Sequence, residues 1–307
     1  MPDDERGETG PVRLLIEAIG FGIATGAVIA LGAVGFSVQF GISNVLNITY
    51  GSMMTLAAFI GYAFLQLNIN LWVAMAITSA VIAVASVIFN RILLEPLRRR
   101  GTSFVGVVIA TVSAGIVLQY AIVVFVGATA HSFGQESGRT VSALGFVFTT
   151  SQLVIIASTV ALMLGFHLLL TQTKIGRAMR ATSTNRTVAR ACGIQTERII
   201  DFTWLLSGAM CGAAGVALAI TTVSFDFTLG STFLIYMIAA AVLGGIGQPY
   251  GAMVGGLVVG IASQVAGAYW SPAYQDVIAF VILIIMLLVR PRGLFSGGTA
   301  NRRLANA

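Results

Sequence analysis

The sequence predicts an all-α protein, a polytopic bundle of transmembrane helices with about eight to nine spans and one possible re-entrant segment. Three observations carry this prediction. Of the 307 residues, 57% are hydrophobic and only 9% are charged, whereas soluble domains carry about 25% charged residues. The mean hydropathy is +0.93. Apolar runs of about 20 residues, the length that a helix needs to cross a bilayer, recur from end to end.

The candidate spans form one membrane domain, 14–295, between short tails at 1–13 and 296–307. Nine apolar segments are candidate spans: 14–38, 46–66, 71–93, 104–127, 152–171, 199–222, 230–246, 252–269 and 274–290.

The basic residues lie in clusters between the apolar runs. A net charge of +6 alone would be compatible with a nucleic-acid partner, but most of the positive charge lies in the loops 90–100 and 171–198 and in the C-terminal tail. Lys and Arg concentrate in the cytoplasmic loops of membrane proteins. We therefore expect these three segments in the cytoplasm, a lipid bilayer around the spans, and no nucleic acid. The connections with few basic residues are expected outside: 67–70, 128–151, 223–229 and 270–273.

Two connections are long enough to have structure of their own. The outer one, 128–151, is long and polar and predicts a small external helix. The inner one, 171–198, predicts a helix, because its basic residues recur at helical spacing from Lys174. A second short helix over 185–192 would end at Gly193 as a C-terminal capping residue. A solvated loop that only sets topology and a docking element for a cytoplasmic partner both remain open at this point.

A polar but uncharged stretch, SNVLNITYGSMM at 43–54, interrupts the apolar sequence. We interpret it as a break or re-entry that opens the second span, because irregular backbone is tolerated at membrane depth where it lines a cavity. Its core ITYGS, 48–52, resembles FTLGS at 227–231, and each stands at the head of an apolar helix. Inverted-topology repeats would give this arrangement, and chance is the alternative for so short a match.

Glycines dominate the segment AAAVLGGIGQPYGAMVGGLVVG, 239–260. It lacks the Lys and Ser/Thr of a phosphate-binding loop, and apolar spans flank it. Proline cannot continue a helix, and small residues let two helices approach closely. The segment therefore predicts a tight helical hairpin, with these packing residues: Gly244, Gly245, Gly247, Pro249, Gly251 and Gly255.

Catalysis and ion coupling are not indicated. The carboxylates Glu17, Asp201, Asp226 and Asp276 fall near span ends, and His167 is the ionisable residue within a span. Ion-coupled transporters commonly place ionisable groups at mid-membrane. We find no HExxH motif, no paired carboxylates, and no Ser or Cys beside a plausible base. We therefore expect neither a catalytic site nor a metal site.

Several blocks together resemble the membrane permease subunits of bacterial ABC importers of the branched-chain amino acid (and urea or amide) uptake family. The resemblance extends from about residue 15 to residue 295. Its most specific blocks are KIGRAMRATSTNRTVARACGIQTERI (174–199), AAVLGGIGQPYGAMVGGLVVGI (240–261) and YQDVIAFVILIIMLLVRPRGLF (274–295). Three further blocks align: NVLNITYGSMMTLAAFIGY (44–62), EPLRRRG (95–101) and VSAGIVLQ (112–119).

The resemblance implies an inner-membrane permease subunit with no cofactor of its own. Its expected partners are a second homologous permease, two cytoplasmic ATPases that bind ATP and Mg, and a periplasmic binding protein that delivers the solute. It also implies that the loop 171–198 presents a coupling helix to the ATPase. The residues carried over to that role are Arg177, Arg180, Ala181, Arg190, Gly193 and Ile194.

The implied solute is a small polar or zwitterionic molecule, above all an amino acid, on a route between this chain and its permease partner. Polar residues are predicted to line that route, with ordinary interhelical hydrogen bonds as the alternative role. These residues are Asn44, Asn47, Thr49, Gly51, Gln119 and Gln264. A self-sufficient channel or secondary carrier for a neutral solute such as urea is the alternative function.

Two motifs depart from the family pattern. The family signature N-x-A-H-G-E corresponds here to 47–52, where Tyr50 and Ser52 replace the His and the Glu. The pattern Y-R-P-[LV]-R corresponds to 94–98, where one Arg is lost. These changes leave the expected fold and class intact but weaken the assignment of a leucine, isoleucine or valine solute.

Overall fold

The computed structural model describes residues 11–133, 140–143, 146–222, 224–290 and 293–295. Nearly all of these residues are helical. The helices are α1 (Pro11–Ser43), α2 (Thr49–Gln66), α3 (Leu71–Phe89), α4 (Glu95–Arg99), α5 (Phe104–Val126), α6 (Thr150–Gln172), α7 (Lys174–Thr184), α8 (Arg186–Ala191), α9 (Thr196–Thr221), α10 (Leu229–Gly244), α11 (Pro249–Tyr269) and α12 (Tyr274–Val289). A π-helical turn, Asn90–Leu94, joins α3 to α4. The predicted C-terminal tail and residues 1–10 of the predicted N-terminal tail lie outside the described residues.

Each of the nine predicted spans coincides with a helix, but the predicted count of eight to nine spans is not confirmed. The described residues contain six helices that are long and apolar enough to cross a membrane: α1, α3 with the π turn and α4, α5, α6, α9 and α11. The helices α10 and α12 are shorter, with 16 residues each. The 18-residue α2 is not among the six either.

The helices α1 and α9 occupy the centre of the bundle. Of their apolar span windows, 56% and 78% are buried, compared with 22–44% for the other four candidate spans. Small residues allow this packing. A Cβ added to Gly208 of α9 would lie 2.9 Å from the Cα of Ala83 in α3, and one added to Gly22 of α1 would lie 2.8 Å from the Cα of Ile261 in α11. The sets α1–α2–α3 and α9–α10–α11 thus pack in a related way, because the first helix of each contacts the third helix of the other.

The two short helices α2 and α10 cross at Gly51 and Gly230. A Cβ on Gly51 would lie 2.6 Å from the carbonyl oxygen of Gly230, and a Cβ on Gly230 would collide with the carbonyl oxygen of Gly51. The Gly230 N–H donates to Thr55 Oγ1 at 2.9 Å, and the Cβ of Leu234 stands 3.2 Å from the added Cβ of Gly51. Gly51 therefore contacts Gly230 and Leu234, which lies one turn farther along α10. Gly230 contacts Gly51 and Thr55, which lies one turn farther along α2. The two related pentapeptides of the sequence are contact partners in the fold.

The predicted external helix over 128–151 is wrong for the described part of that connection. The strands β1 (Thr140–Ala143) and β2 (Phe146–Thr149) form an antiparallel hairpin, with Thr140 opposite Thr149. The strand sequences TVSA and FVFT are rich in β-branched and aromatic residues, which favour extended backbone. The all-α fold thus carries one short hairpin.

The glycine-rich hairpin forms between α10 and α11. The turn contains Gly245 and Gly247 with φ of 104° and 87°, a region that side chains disfavour. Pro249 occupies the start of α11, where its missing N–H costs no helical hydrogen bond. Added Cβ atoms would collide with facing backbone at three positions, which are Gly244, Gly251 and Gly255.

We expect Gly230→Ala to destabilise the bundle by about 1–3 kcal/mol, because its Cβ has no room against the Gly51 carbonyl. Gly165→Ala is the matched control. Nothing lies within 4 Å of its added Cβ, so higher helix propensity should leave stability unchanged or raised by about 0.5–1 kcal/mol. Thermal unfolding of the purified proteins in one detergent measures both changes. Equal midpoints for the two variants would contradict the close crossing.

Candidate functional site

The chain leaves its helical path at residues 44–48, between α1 and α2. Asn44 has a left-handed φ of 54°, a conformation that asparagine tolerates better than most residues. Before it, the Ser43 hydroxyl donates to the carbonyl of Gln39 at 2.6 Å. The break predicted from the polar stretch is present, and α2 restarts at Thr49.

The hydroxyl of Thr111 in α5 reaches the backbone of the break, and it also lies 2.8 Å from the Val108 carbonyl oxygen of its own helix. Its Oγ1 is 3.1 Å from the carbonyl oxygen of Leu46 and accepts from the N–H of Ile48 at 3.4 Å. The hydroxyl of Thr49 in turn donates to the Thr111 carbonyl at 2.5 Å. Irregular backbone inside a membrane protein requires such partners, because lipid supplies none.

Asn47 lies inside the break with its hydrogen-bonding capacity unused. Its side chain is 1% exposed, and neither amide atom has a partner among the described residues. Gln39 of α1 is also 1% exposed, and its Oε1 accepts from Ser207 Oγ at 3.0 Å while its Nε2 has no partner in the described part of the chain. Each such group costs about 1–3 kcal/mol. Both amides are therefore buried polar groups with open hydrogen-bonding positions among the described residues.

Tyr50, at the position of the family's His, has an anchoring role. Its hydroxyl donates to the Ser207 carbonyl of α9 at 3.4 Å. Its ring meets the edge of Phe36 in α1, with centroids 5.8 Å apart. The thiol of Cys211 donates to its carbonyl at 3.4 Å. Tyr50 thus ties the first turn of α2 to both central helices.

The structure brings together only part of the predicted path. Asn47, Thr49 and Gly51 are buried in one region, and Asn44 is exposed. Gln119 lies on α5 eight residues beyond Thr111, about 12 Å along the helix.

Gln264 lies on α11 in a separate polar group. Its Nε2 donates to Thr25 Oγ1 at 3.2 Å, and its Oε1 accepts from Gln275 Nε2 at 3.5 Å. Gln264 therefore has the interhelical hydrogen bonds that were the alternative role for these residues.

Sequence reasoning missed Gln39, Thr111 and Ser207. A glutamine close to the end of an apolar helix, in the sequence FSVQF, was the available signal for the first. The other two could not be singled out among the many hydroxyl residues of the spans.

The basic loop folds as predicted into two helices, α7 and α8. Asn185 caps α8 by accepting from the N–H groups of Thr187 and Val188, at 3.0 and 3.1 Å. Gly193 ends the turn with φ of 83°, and the N–H of Ile194 donates to the Ala189 carbonyl at 3.0 Å. Together with α4, these helices form what we call the basic end of the bundle.

The residues predicted for coupling separate into two groups. Arg180 donates to the carbonyl of Leu170, at the end of α6, so it holds α7 against the bundle. Arg190 pairs with Glu197 at 3.1 Å. Arg177 is exposed and has no ion pair within the described residues. The side chain of Val188 is 56% exposed. Arg177 and Val188 are thus exposed on this surface, as are Arg180 and Arg190, and Ala181 is half-buried.

A family model and several curated relatives match most of this chain. The model of the family described as the permease component of branched-chain amino acid transport systems matches residues 18–287. The described residues contain no group of three His, Cys, Asp or Glu side chains that could hold a metal ion.

Three curated relatives align with nearly the whole chain. The high-affinity branched-chain amino acid transport system permease protein LivH of Salmonella typhimurium is 29% identical over 287 residues, covering 89% of this chain and 92% of the relative. BraD of Pseudomonas aeruginosa, with the same description, is 27% identical and covers 89% and 93%. The probable permease protein LivH of Methanocaldococcus jannaschii is 30% identical and covers 92% and 95%. The chain therefore belongs to the family of permease components of branched-chain amino acid transport systems, and it is a multi-pass membrane protein.

Proposed function

We propose that the chain is a pore-forming subunit of an ATP-driven importer and that its solute passes along the break at residues 44–48. The observation that carries this proposal is the buried Asn47 amide, which has no hydrogen-bond partner in the described part of the chain. A structural asparagine in a packed bundle is normally satisfied. One that is left open, in a segment whose backbone is separately secured by Thr111, is suited to exchange hydrogen bonds with a passing molecule.

The proposed solute is an amino acid, with branched-chain amino acids as the first candidates. The relatives that align over the whole chain are described as branched-chain amino acid permeases. Tyr50, which replaces the His of the family signature, packs against Phe36 and donates a hydrogen bond to the Ser207 carbonyl. Its difference from the family pattern therefore changes how α2 is anchored and leaves the open amides of Asn47 and Gln39 in place. An uncharged lining suits a zwitterion or an amide better than an ion.

The importer would contain three further kinds of chain. A second, homologous permease would complete the path, two ATPases would bind ATP and Mg in the cytoplasm, and a periplasmic binding protein would deliver the solute. The basic end, and with it the C-terminus, would face the cytoplasm under the positive-inside rule. This chain would have no catalytic site, and the bilayer would be the bacterial inner membrane. With α2, α10 and α12 included, the bundle would have nine membrane-embedded helices.

The surface proposed for ATPase docking is formed by α7 and α8. Arg177 and Val188 point outward and combine a charge with an apolar side chain, as interface residues often do. Arg180 and Arg190 are also exposed, and they are tied to the bundle through the Leu170 carbonyl and Glu197. Gly193 and Ile194 close the turn after α8.

Reconstitution tests the class of transporter. We reconstitute vesicles with this permease, its partner permease and the ATPases. We expect them to transport a branched-chain amino acid only when nucleotide is present on the side of the ATPases and the binding protein is present on the opposite side. Vesicles with this chain alone should show no flux. Rapid flux of amino acid or urea through the chain alone, without nucleotide, would instead identify a passive carrier.

Asn47→Leu separates a transport role from a structural one. Removing a buried, unpartnered amide should leave the free energy of unfolding unchanged or raise it by about 1 kcal/mol. Uptake by the assembled importer should fall about tenfold, because the solute loses a hydrogen bond. Thermal unfolding and radiolabelled uptake measure the two effects.

Thr78→Val is the matched control for Asn47→Leu. Thr78 of α3 is also fully buried with an unpartnered hydroxyl among the described residues, but it lies far along the chain from the break. Its replacement should leave uptake unchanged. If Asn47→Leu lowers stability and uptake together, the amide is structural.

Arg177→Glu tests the docking surface. Charge reversal on an exposed residue should leave membrane insertion and thermal stability intact but lower transport-coupled ATP hydrolysis roughly tenfold, since like charges would then meet at the interface. Arg100→Glu, an exposed residue of the other basic loop, is the control. Normal coupling in a stably inserted Arg177→Glu importer would contradict the assignment of this surface.

A further inference from the structure

A charged pocket of about 340 Å³ lies at the basic end, outside the break and beside the proposed docking surface. It is formed by α4, α8 and the first turn of α9. Six charged residues line it: Glu95, Arg98, Arg99, Arg186, Arg190 and Glu197.

The pocket carries more positive than negative charge. Glu197 is shared between Arg186 and Arg190, at 2.8 and 3.1 Å, and Glu95 pairs with Arg99. With four guanidinium groups and two carboxylates, the lining has a formal charge of +2.

Arg98 is the arginine of the pocket lining that has no ion pair among the described residues. Its Nη2 donates to the amide oxygen of Asn90 at 2.8 Å, and its Nη1 has no partner among the residues that the structure describes. No carboxylate of the described chain forms an ion pair with it, because the nearby Asp201 is held by Arg91 at 2.6 Å. Glu95, Glu197 and Asp201 act on Arg98 only from beyond ion-pair distance, and a partly buried guanidinium without a direct ion pair is costly. An anion in the pocket would relieve that cost.

The pocket stands where a helix leaves the apolar part of the bundle. The candidate span that begins at Leu71 ends at Arg99. About two and three turns before Arg99, Ile92 is 72% exposed and Ile88 is 50% exposed, as expected for side chains that face acyl chains. An apolar groove of about 780 Å³ lies between α2, α5 and this stretch of the chain. Ile92 lines it and lies three residues before Glu95, on the same side of the helix.

We propose that this pocket binds the phosphate group of an anionic phospholipid, whose acyl chains lie along the groove between α2, α3 and α5. Arginine forks bind phosphate oxygens with paired hydrogen bonds. Basic pockets at the cytoplasmic ends of transmembrane helices are suited to anionic headgroups. The apolar groove next to the pocket favours a lipid over free phosphate or an acidic protein side chain. The inference rests on the membrane location of the family and is independent of the solute, and the pocket shares α8 with the proposed docking surface.

The test uses the purified full-length chain in vesicles of phosphatidylcholine with and without phosphatidylglycerol. Native mass spectrometry counts the lipids that the protein retains after release from the vesicles. We expect the wild-type chain to retain phosphatidylglycerol over phosphatidylcholine, and Arg98→Gln to retain about fivefold less of it, the effect of one basic residue near an anionic headgroup. Arg100→Gln removes the same charge from the same loop outside the pocket and should retain phosphatidylglycerol like the wild type.

Three outcomes would overturn the proposal. These are equal retention by the wild-type chain and Arg98→Gln, an equal loss in Arg100→Gln, and complete displacement of phosphatidylglycerol by inorganic phosphate. The last would identify a site for free phosphate. If Arg98→Gln is not recovered folded, Arg186→Gln carries the same test, because Glu197 keeps Arg190 as its partner.

Discussion

The close contact between the backbones of Gly51 and Gly230 is the constraint on which the rest of the structure depends. Two helices without side chains at their crossing can bring peptide groups together, and here the crossing fixes where α2 and α10 begin. Both helices start inside the bundle, so α1 must end and the chain must turn before α2 can begin. The polar break is the consequence. Its position follows from packing.

A buried break leaves polar groups that need hydrogen-bond partners, and the described residues supply partners for only some of them. Thr111 supplies hydrogen bonds to the backbone on both sides of Asn47, and Tyr50 secures the first turn of α2 against α9. The amides of Asn47 and Gln39 keep open positions. A bundle that holds its backbone firmly and leaves uncharged side-chain groups open is suited to passing a polar solute without binding it tightly.

Local chemistry predicted the elements that depend on single residues. Pro249 and the glycines before it indicated the α10–α11 hairpin, because a proline can start but not continue a helix. Gly193 indicated the end of α8 through its preference for positive φ. The external hairpin was missed because the polarity of 128–151 was weighed above the β-branched and aromatic residues of TVSA and FVFT. The role of Arg180 was also hidden, since its distance to the Leu170 carbonyl depends on how α7 folds back on α6.

The sequence by itself determined the class of the protein, the approximate positions of its long helices and the positions of its basic loops, because hydropathy, proline, glycine and charge act locally. Only the tertiary structure decided which helices cross, which polar groups stay without partners, and which arginines point outward. Those outcomes depend on contacts between residues far apart in the chain, such as Gly51 with Gly230 and Gln39 with Ser207. The match between 48–52 and 227–231 indicated a repeat, and only the structure shows that the two segments are in contact. The distance between α2 and α10 at that contact is short because neither glycine has a side chain.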